Sequence, residues 1–226
     1  MAIKIGHARI DENGNAHSGK AGDNNGKEVM ISDWYKHSKG WVVLRPKDAA
    51  TAEKIAKCME DACANNNIGY DQWQRLTLYN AVKDNGFKCD KNSLKTKVEA
   101  DCSSLVRVCL AYAGITVENF TTATQKKLLL ATGKFDEIPA AATNSAYLKR
   151  GDILVTKTQG HTVVVLTTGS KVEAANRTYT VKKGDSLWKI AKNELGKGTR
   201  YTEIKKLNGL KNNTIYAGQV LKLPDK

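Results

Sequence analysis

The sequence is notable first for what it lacks. None of its 226 residues belongs to an apolar run that approaches the ~18 residues needed to span a bilayer, so we expect no membrane insertion. The first residues also lack the apolar core of a secretory signal peptide. We therefore expect synthesis and folding in the cytoplasm without a signal peptide. If the protein acts outside the cell, a separate route must release it.

Cysteines are few and odd in number. The chain has five, at positions 58, 63, 89, 102 and 109, and an odd set without an export signal predicts reduced thiols. Their spacing does not match zinc-ligand patterns, so the sequence predicts no metal site and no cofactor. Because neither disulfides nor metal ligation are expected, one of the thiols is a candidate for a chemical role.

Acidic residues are scarce towards the carboxyl end. The formal net charge is +13, and residues 177–226 contain twelve Lys and Arg against four Asp and Glu. Such a basic segment indicates either a solvated surface or a polyanionic partner, such as nucleic acid, an anionic membrane or anionic cell-wall polymers. No recognition-helix or RNA-binding motif accompanies the charge, so nucleic acid is the weakest of these partners.

Hydrophobic periodicity predicts an α+β fold in residues 1–175. Residues 1–45 are rich in Gly, Asn and Asp and read as loops and hairpins, whereas apolar spacing predicts a helix that starts after Asp48. A second helix is predicted over 70–82 and a third from residue 102. Strands follow at 153–155 and 162–166, then around 171–174, as expected for helices packed on an antiparallel sheet.

The composition changes near residues 175–177. From there the pattern predicts a strand, a helix from residue 186, a second helix from residue 199 and a last strand at 219–223. This is a compact βααβ unit, so we predict a second domain over residues 179–224.

Cys102 is the candidate nucleophile. It follows Asp101, a good N-cap residue, and precedes two small serines, which places its sulfur at the start of a helix. The helix dipole and free N–H groups there favour an anion, so we expect a lowered thiol pKa and donors for an oxyanion. The alternative is a buried structural cysteine, since free Cys often packs as a small hydrophobe.

His161 is the candidate base. It follows Gly160 and opens a β-branched strand, from which an imidazole could reach a cysteine on a neighbouring helix. Glu173 and Asn176, on the predicted return strand, are alternative third groups that would orient the ring. The other histidines, at positions 7, 17 and 37, are interpreted as structural or solvated.

These motifs resemble a known family. Residues 101–106 (DCSSLV), 150–154 (RGDIL) and 160–165 (GHTVVV) are similar to the NlpC/P60 cysteine peptidases and, more distantly, to CHAP domains. The resemblance covers residues 65–176 and implies a papain-like fold that cleaves amide bonds of peptidoglycan. It implies Cys102 as nucleophile and His161 as base, with Glu173 or Asn176 as third member and Tyr70 as a weaker match for an upstream substrate-binding tyrosine.

The tail carries a second resemblance. Residues 179–191 (YTVKKGDSLWKIA), 207–210 (LNGL) and 215–224 (IYAGQVLKLP) look like a LysM domain. LysM domains bind N-acetylglucosamine-containing glycans in a shallow groove between two loops. The resemblance implies binding by both loops, with Leu187, Ile215 and Tyr216 offering apolar faces, whereas Trp188 is interpreted as core. The full implied set is Gly184, Asp185, Ser186, Leu187, Asn213, Ile215 and Tyr216.

Together the two resemblances imply a peptidoglycan hydrolase of the endolysin type, encoded by a phage or prophage, with peptidoglycan as its partner. Cleavage of a peptide bond in the stem or cross-bridge is the first interpretation. An N-acetylmuramoyl-L-alanine amidase of the same fold is an alternative, because the machinery is shared. A non-catalytic glycan-binding protein of the wall or of a phage particle is another.

Overall fold

The computed structural model describes residues 2–158, 160–170 and 178–224. Backbone contacts divide the chain into two compact units, Met1–Gly169 and Ser170–Lys226. We describe each unit separately. Within the described residues, no helix is both long and apolar enough to cross a membrane.

The first unit is built on a six-stranded antiparallel sheet with the order β2-β1-β8-β7-β3-β6. Three of the six strands come from residues 1–46, so the description of this segment as loops and hairpins was incomplete. The strands are β1 (Lys4–Ala8), β2 (Val29–Asp33), β3 (Trp41–Pro46), β6 (Phe135–Glu137), β7 (Ile153–Thr156) and β8 (Thr162–Val165).

Both faces of this sheet are covered. Side chains alternate along each strand, and in β8 Val163 and Val165 lie in one apolar cluster while Val164 lies in the other. The larger cluster contains the helices, and the smaller is closed by Trp41 and Leu148. Burial on both faces explains the continuous β-branched run of β8, since no position of that strand faces water.

Four helices belong to this unit: α1 (Ala49–Cys63), α2 (Thr77–Val82), α3 (Cys102–Tyr112) and α4 (Thr122–Ala131). The predicted start of α1 is confirmed, because the Asp48 side chain accepts a hydrogen bond from the Thr51 backbone N–H. The predicted helix over 70–82 was wrong in its first half. Residues Ile68–Tyr70 form strand β4, and helix begins only at Thr77.

Strand β4 pairs in parallel with β5 (Val98–Ala100), and this small ribbon leads directly into α3. Tyr70 lies opposite Ala100, two residues before Cys102. The β-conformation of Tyr70 follows from this pairing, which the local sequence pattern could not reveal because the partner strand lies about thirty residues away.

Charged residues join the segment before β7 to strand β3 and to helix α1. Asp152 is fully buried, and the Arg45 guanidinium donates to both of its carboxylate oxygens at 2.7 Å. Arg150 donates to Glu53 and Glu60 on α1. Gly151, between these two charged residues, has φ +87°, and a side chain there would lie 2.4 Å from the Ala52 carbonyl oxygen. Only glycine allows helix and strand to approach so closely.

The second unit has the predicted βααβ order. Its strands β9 (Thr178–Thr180) and β10 (Val220–Lys222) are antiparallel, and α5 (Leu187–Leu195) and α6 (Tyr201–Leu207) lie between them in the chain. Ser186 caps α5, and Gly196 ends it in the left-handed conformation. The core of this unit is small and wholly apolar, consisting of Val181, Leu187, Ile190, Ala191, Leu195, Ile204, Leu221 and Leu223.

The buried ion pair yields a stability prediction. Asp152→Ala leaves the Arg45 guanidinium without its charge partner, so we expect the free energy of unfolding to fall by about 3 kcal/mol. The control is Asp136→Ala, which breaks the exposed Lys47–Asp136 pair and should cost less than about 1 kcal/mol. Urea unfolding measures both, and equal losses would contradict a structural role for the buried pair.

Candidate active site

Cys102 is the first residue of α3, at the point where strand β5 turns into the helix. Asp101 caps this helix: its carboxylate accepts the Ser104 N–H at 2.7 Å, while the Ser104 hydroxyl accepts the Asp101 N–H at 2.9 Å. This reciprocal capping box fixes the backbone on both sides of the thiol. The predicted helix start is therefore confirmed, together with its cap.

Arg75 anchors the same turn from outside. Its guanidinium donates to the Asp101 carboxylate at 2.6 Å, to the Ser103 hydroxyl at 2.9 Å and to the Phe120 carbonyl oxygen at 2.7 Å. The arginine thus neutralises the capping carboxylate next to the thiol. The sequence reasoning missed Arg75, because nothing in its local sequence shows that it faces residues 26 to 45 positions further along the chain.

The expected lowering of the Cys102 pKa is not observed. Burial raises the pKa of the thiol to about 12, and the negative charge of Asp101 adds to the rise. The backbone N–H groups of Thr162 and Ser103 act in the opposite direction, since both can donate to the thiolate. With Cys102 only 7% exposed, desolvation outweighs the helix terminus, so the free site holds a neutral thiol at neutral pH.

His161 lies one residue before β8, so the donor Thr162 is its immediate neighbour. Gly160 precedes it with φ +117°, and its N–H donates to the Thr122 hydroxyl of α4. The His161 N–H donates to the Thr156 hydroxyl, which closes the β7–β8 turn. The Thr162 N–H lowers the pKa of Cys102, and strand β8 packs against α3.

An aromatic group lies against His161. The ring of Trp41 lies 6.4 Å from the imidazole between centroids, and His37 and Tyr35 pack on the same indole. Burial lowers the pKa of His161 to about 4, with smaller contributions from the positive charges of His37 and Arg9. His161 is therefore a neutral base at neutral pH.

His7 is the unexpected member of this site. Its Nδ1 lies 2.9 Å from Nε2 of His161, and its own Nε2 lies 3.1 Å from the Ser32 hydroxyl oxygen. Burial lowers the pKa of His7 to about 3, helped by His161 and Arg9. The interpretation of His7 as structural or solvated missed this contact. One signal was present, since residue 7 shares the strand face of Ile3 and Ile5.

The hydrogen bonds fit two sets of tautomers, one with the proton on Nε2 of both rings and one with the proton on Nδ1 of both rings. If His161 carries its proton on Nε2, it donates to Nδ1 of His7, and His7 in turn donates from Nε2 to Ser32. The Ser32 hydroxyl can then donate to the Asp33 carbonyl oxygen. In this arrangement Nδ1 of His161 is unprotonated and is the ring nitrogen that remains for proton exchange.

Three other predicted members of the site have different outcomes. Glu173 and Asn176 lie outside the described residues. Tyr70 is buried in strand β4: its hydroxyl accepts a hydrogen bond from Gln72, and burial raises its pKa to about 12, with a smaller contribution from Cys102.

Metal ligation has no structural support in the described parts of the chain. There, no group of three or more His, Cys, Asp or Glu side chains is arranged to hold an ion. All five cysteines lie in these parts, and each is a free thiol.

The predicted glycan-binding loops of the second unit are only partly exposed. Tyr216 is 72% exposed and Asn213 is also open to solvent, whereas Ile215 is half-buried against the core. Leu187 is 2% exposed, so the prediction that it offers an apolar face was wrong: it fills the core beneath the loop.

The turn before α5 is held by Asp185. Its carboxylate accepts the Lys182 N–H and the Tyr179 hydroxyl, which leaves Gly184, with φ +85°, and Ser186 on the surface. Trp188 was predicted to be core, but it is half-exposed and lies across Gly198, where a side chain would meet its ring at 2.2 Å.

The structure thus defines two classes of module: a mixed α and β domain with a buried thiol at a helix start and a buried imidazole pair, and a small βααβ domain. Comparison with known families agrees with both. Residues 5–172 match the model of the endolysin-like domain, and residues 179–224 match the LysM domain. The chain belongs to the endolysin-like domain family and carries a carboxyl-terminal LysM domain.

Individual relatives match over a short segment. The probable peptidoglycan endopeptidase LytE of Bacillus subtilis is 59% identical over 46 residues, or 20% of this chain and 13% of its own length. The N-acetylmuramoyl-L-alanine amidase sle1 of Staphylococcus epidermidis is 57% identical over 47 residues, which cover 21% of this chain and 14% of the amidase. An autolysin of Enterococcus faecalis is 46% identical over 50 residues, which cover 22% of this chain and 6% of the autolysin.

The chain therefore spans less than a seventh of the length of these relatives, a share that corresponds to one LysM-sized segment. No solved structure gives a significant match to the chain.

The imidazole pair yields a prediction for spectroscopy. Because the pKa values of His161 and His7 lie near 4 and 3, we expect both rings to be neutral at pH 6, and a base that acts through Nδ1 of His161 requires the Nε2–H tautomer of both. Long-range ¹H–¹⁵N correlation spectra measure this, with His7→Gln and His161→Gln to assign the resonances. An imidazolium spectrum for either ring at pH 6 would contradict the buried neutral pair.

Proposed function

We propose that this protein is a peptidoglycan hydrolase that uses Cys102 as its nucleophile and His161 as its general base. The proposal depends mainly on the packing of strand β8, which follows His161, against helix α3, which begins at Cys102. The Thr162 N–H, next to His161, lowers the pKa of the Cys102 thiol, and His7 is hydrogen-bonded to Nε2 of the His161 ring. The resemblance to NlpC/P60 peptidases and a papain-like arrangement supports the same assignment.

The proposed reaction begins from a neutral thiol and a neutral imidazole. As a substrate carbonyl enters, the Cys102 proton moves to Nδ1 of His161 and the sulfur attacks the carbonyl carbon. The C–N bond then breaks, the leaving amine takes the proton from His161, and a thioester remains. Water, deprotonated by His161, hydrolyses the thioester and restores the thiol. His7 stays hydrogen-bonded and positions the ring throughout.

The high thiol pKa is compatible with this sequence of steps. A buried neutral site does not stabilise a permanent ion pair, so charge separation occurs only when substrate N–H and carbonyl groups replace the missing solvation. The backbone N–H groups of Ser103 and Thr162 already favour negative charge on the sulfur. The cost is a slower first step than in an enzyme with a preformed thiolate.

The LysM domain is proposed to hold the enzyme on its insoluble substrate. Relatives that match this segment have names that describe peptidoglycan endopeptidase or amidase activity. We propose that it binds N-acetylglucosamine-containing glycan around Tyr216, which raises the effective concentration of the active site at the wall. Its excess of lysine also favours contact with anionic wall polymers.

Two bonds are candidates for cleavage. One is a peptide bond of the stem or cross-bridge, and the other is the lactyl–alanine amide. Both present an amide carbonyl to the same thiol. Mass spectrometry of fragments released from defined sacculi distinguishes them, because the amidase separates intact peptides from glycan while the endopeptidase shortens the peptides.

The catalytic assignment is tested by Cys102→Ala. This change removes the nucleophile, so we expect fragment release from sacculi to fall at least about a thousandfold while sedimentation with sacculi is unchanged. Cys109→Ala, which removes another buried thiol of α3, is the control and should retain activity in the folded fraction. Release by Cys102→Ala at the wild-type rate would exclude cysteine catalysis at this position, and an inactive wild type would favour a non-catalytic wall-binding protein.

The targeting assignment is tested by Tyr216→Ala. Removal of an exposed ring should weaken binding to sacculi several-fold, while cleavage of small soluble muropeptides stays at the wild-type rate. Val220→Ala, at another exposed apolar position of the same domain, is the control. Unchanged binding by Tyr216→Ala in pull-down experiments would remove this ring from the glycan site.

A further inference from the structure

An exposed aromatic pair lies on the first unit, on the surface near the start of α3. The Trp73 indole is 71% exposed, and the His17 imidazole stacks on one face with ring centroids 3.9 Å apart and planes within 4°. Most of the indole surface is accessible to solvent. A large flat apolar surface that is not buried in the core is characteristic of a contact site for a ligand.

The pair is held rigidly by the Asp71 carboxylate. One oxygen accepts the Trp73 N–H at 2.6 Å and the Gln74 N–H at 2.9 Å, and the other accepts the Ser18 N–H at 2.7 Å. The Gln72 N–H also donates to the Ala16 carbonyl oxygen. These bonds join the two loops that carry the rings, so little conformational entropy remains to be lost when a ligand stacks on the indole.

Beside the indole lies a shallow depression of about 320 Å³. Apart from Trp73, Leu76 and Arg75, its lining consists of neutral hydrogen-bonding side chains: Gln72, Gln74, Thr77, Asn80 and Asn119. The Arg75 guanidinium is already bonded to Asp101, Ser103, Asn119 and the Phe120 carbonyl oxygen. The surface therefore suits an uncharged polar ligand better than a phosphate or a carboxylate.

The depression adjoins the candidate active site. Arg75 links its floor to Asp101 and Ser103, the residues on either side of Cys102. On the other side, Gln72 donates to the hydroxyl of Tyr70, whose pKa is raised by burial and partly by the Cys102 charge. A polymer lying across the thiol would therefore extend over this surface.

We propose that Trp73 and the adjoining amides form a sugar subsite that binds an N-acetylated pyranose of the glycan strand. The apolar face of a pyranose packs on an indole, and its hydroxyl and acetamido groups match Gln and Asn side chains. This inference rests on the proposed function for the identity of the polymer. It adds that the catalytic unit, independently of the LysM domain, recognises the sugar next to the peptide it cleaves.

The test follows each tryptophan of the full-length chain by ¹⁹F NMR after incorporation of 5-fluorotryptophan. The chain has four tryptophans, and Trp73→Phe assigns the resonance of interest. On titration with N,N′-diacetylchitobiose, we expect a saturable shift of the Trp73 resonance and none of the buried Trp41 resonance. Trp188 reports on the LysM domain separately. The sugar-free stem peptide should shift Trp73 less than the disaccharide.

The matched variant is Asn80→Ala, which leaves the aromatic pair intact but removes one amide from the depression, and should weaken the Trp73 response several-fold.

A second arm measures kcat/KM for Trp73→Ala. We expect about a tenfold loss on disaccharide-linked peptides, equivalent to about 1.4 kcal/mol, with Ile31→Ala, another exposed apolar residue of this unit, as control.

The outcomes separate the two proposals. A Trp73 resonance that does not respond to the disaccharide overturns the subsite, even if the protein cleaves cell walls. A larger response to the peptide than to the sugar also overturns it. A saturable response to the disaccharide in a protein that cleaves no wall material supports the subsite and contradicts the proposed function.

Discussion

The capped start of α3 is the constraint on which the site depends. Asp101 follows strand β5, accepts the Ser104 N–H and is itself held by Arg75. These bonds decide where the Cys102 sulfur lies and which backbone N–H groups face it. Since the cap is buried, loss of any partner would leave an unsatisfied charge or donor, which makes the geometry difficult to change without unfolding the turn.

Burial governs the electrostatics of the same region. It raises the pKa of Cys102 and lowers the pKa values of His161 and His7, so all three groups are neutral when the site is empty. A helix terminus supplies only a partial charge, and here it does not offset the loss of water around the sulfur. The proposed chemistry therefore depends on proton transfer when substrate is bound, with Nε2 of His161 hydrogen-bonded to His7.

The two units differ in how much of their structure could be predicted. The βααβ unit is short, and its core residues lie at regular helical and strand spacing, so its order followed from the pattern. Even there, two expectations were wrong: Leu187 was expected on the surface and is buried, whereas Trp188 was expected in the core and is half-exposed. The cause is that Trp188 lies over Gly198 on the surface while Leu187 turns inward, and a local apolar pattern does not distinguish two adjacent large residues.

In the first unit, local sequence predicted the capped helix at Cys102, the β-branched strand after His161 and the resemblance built on them. The contact of His7 with the ring of His161, 154 residues further along the chain, became visible only in the folded structure. Only that structure showed Arg75 at the cap and Tyr70 in a strand. The physical reason is that caps and periodicity are local, whereas sheet order and desolvation depend on residues far apart in the chain.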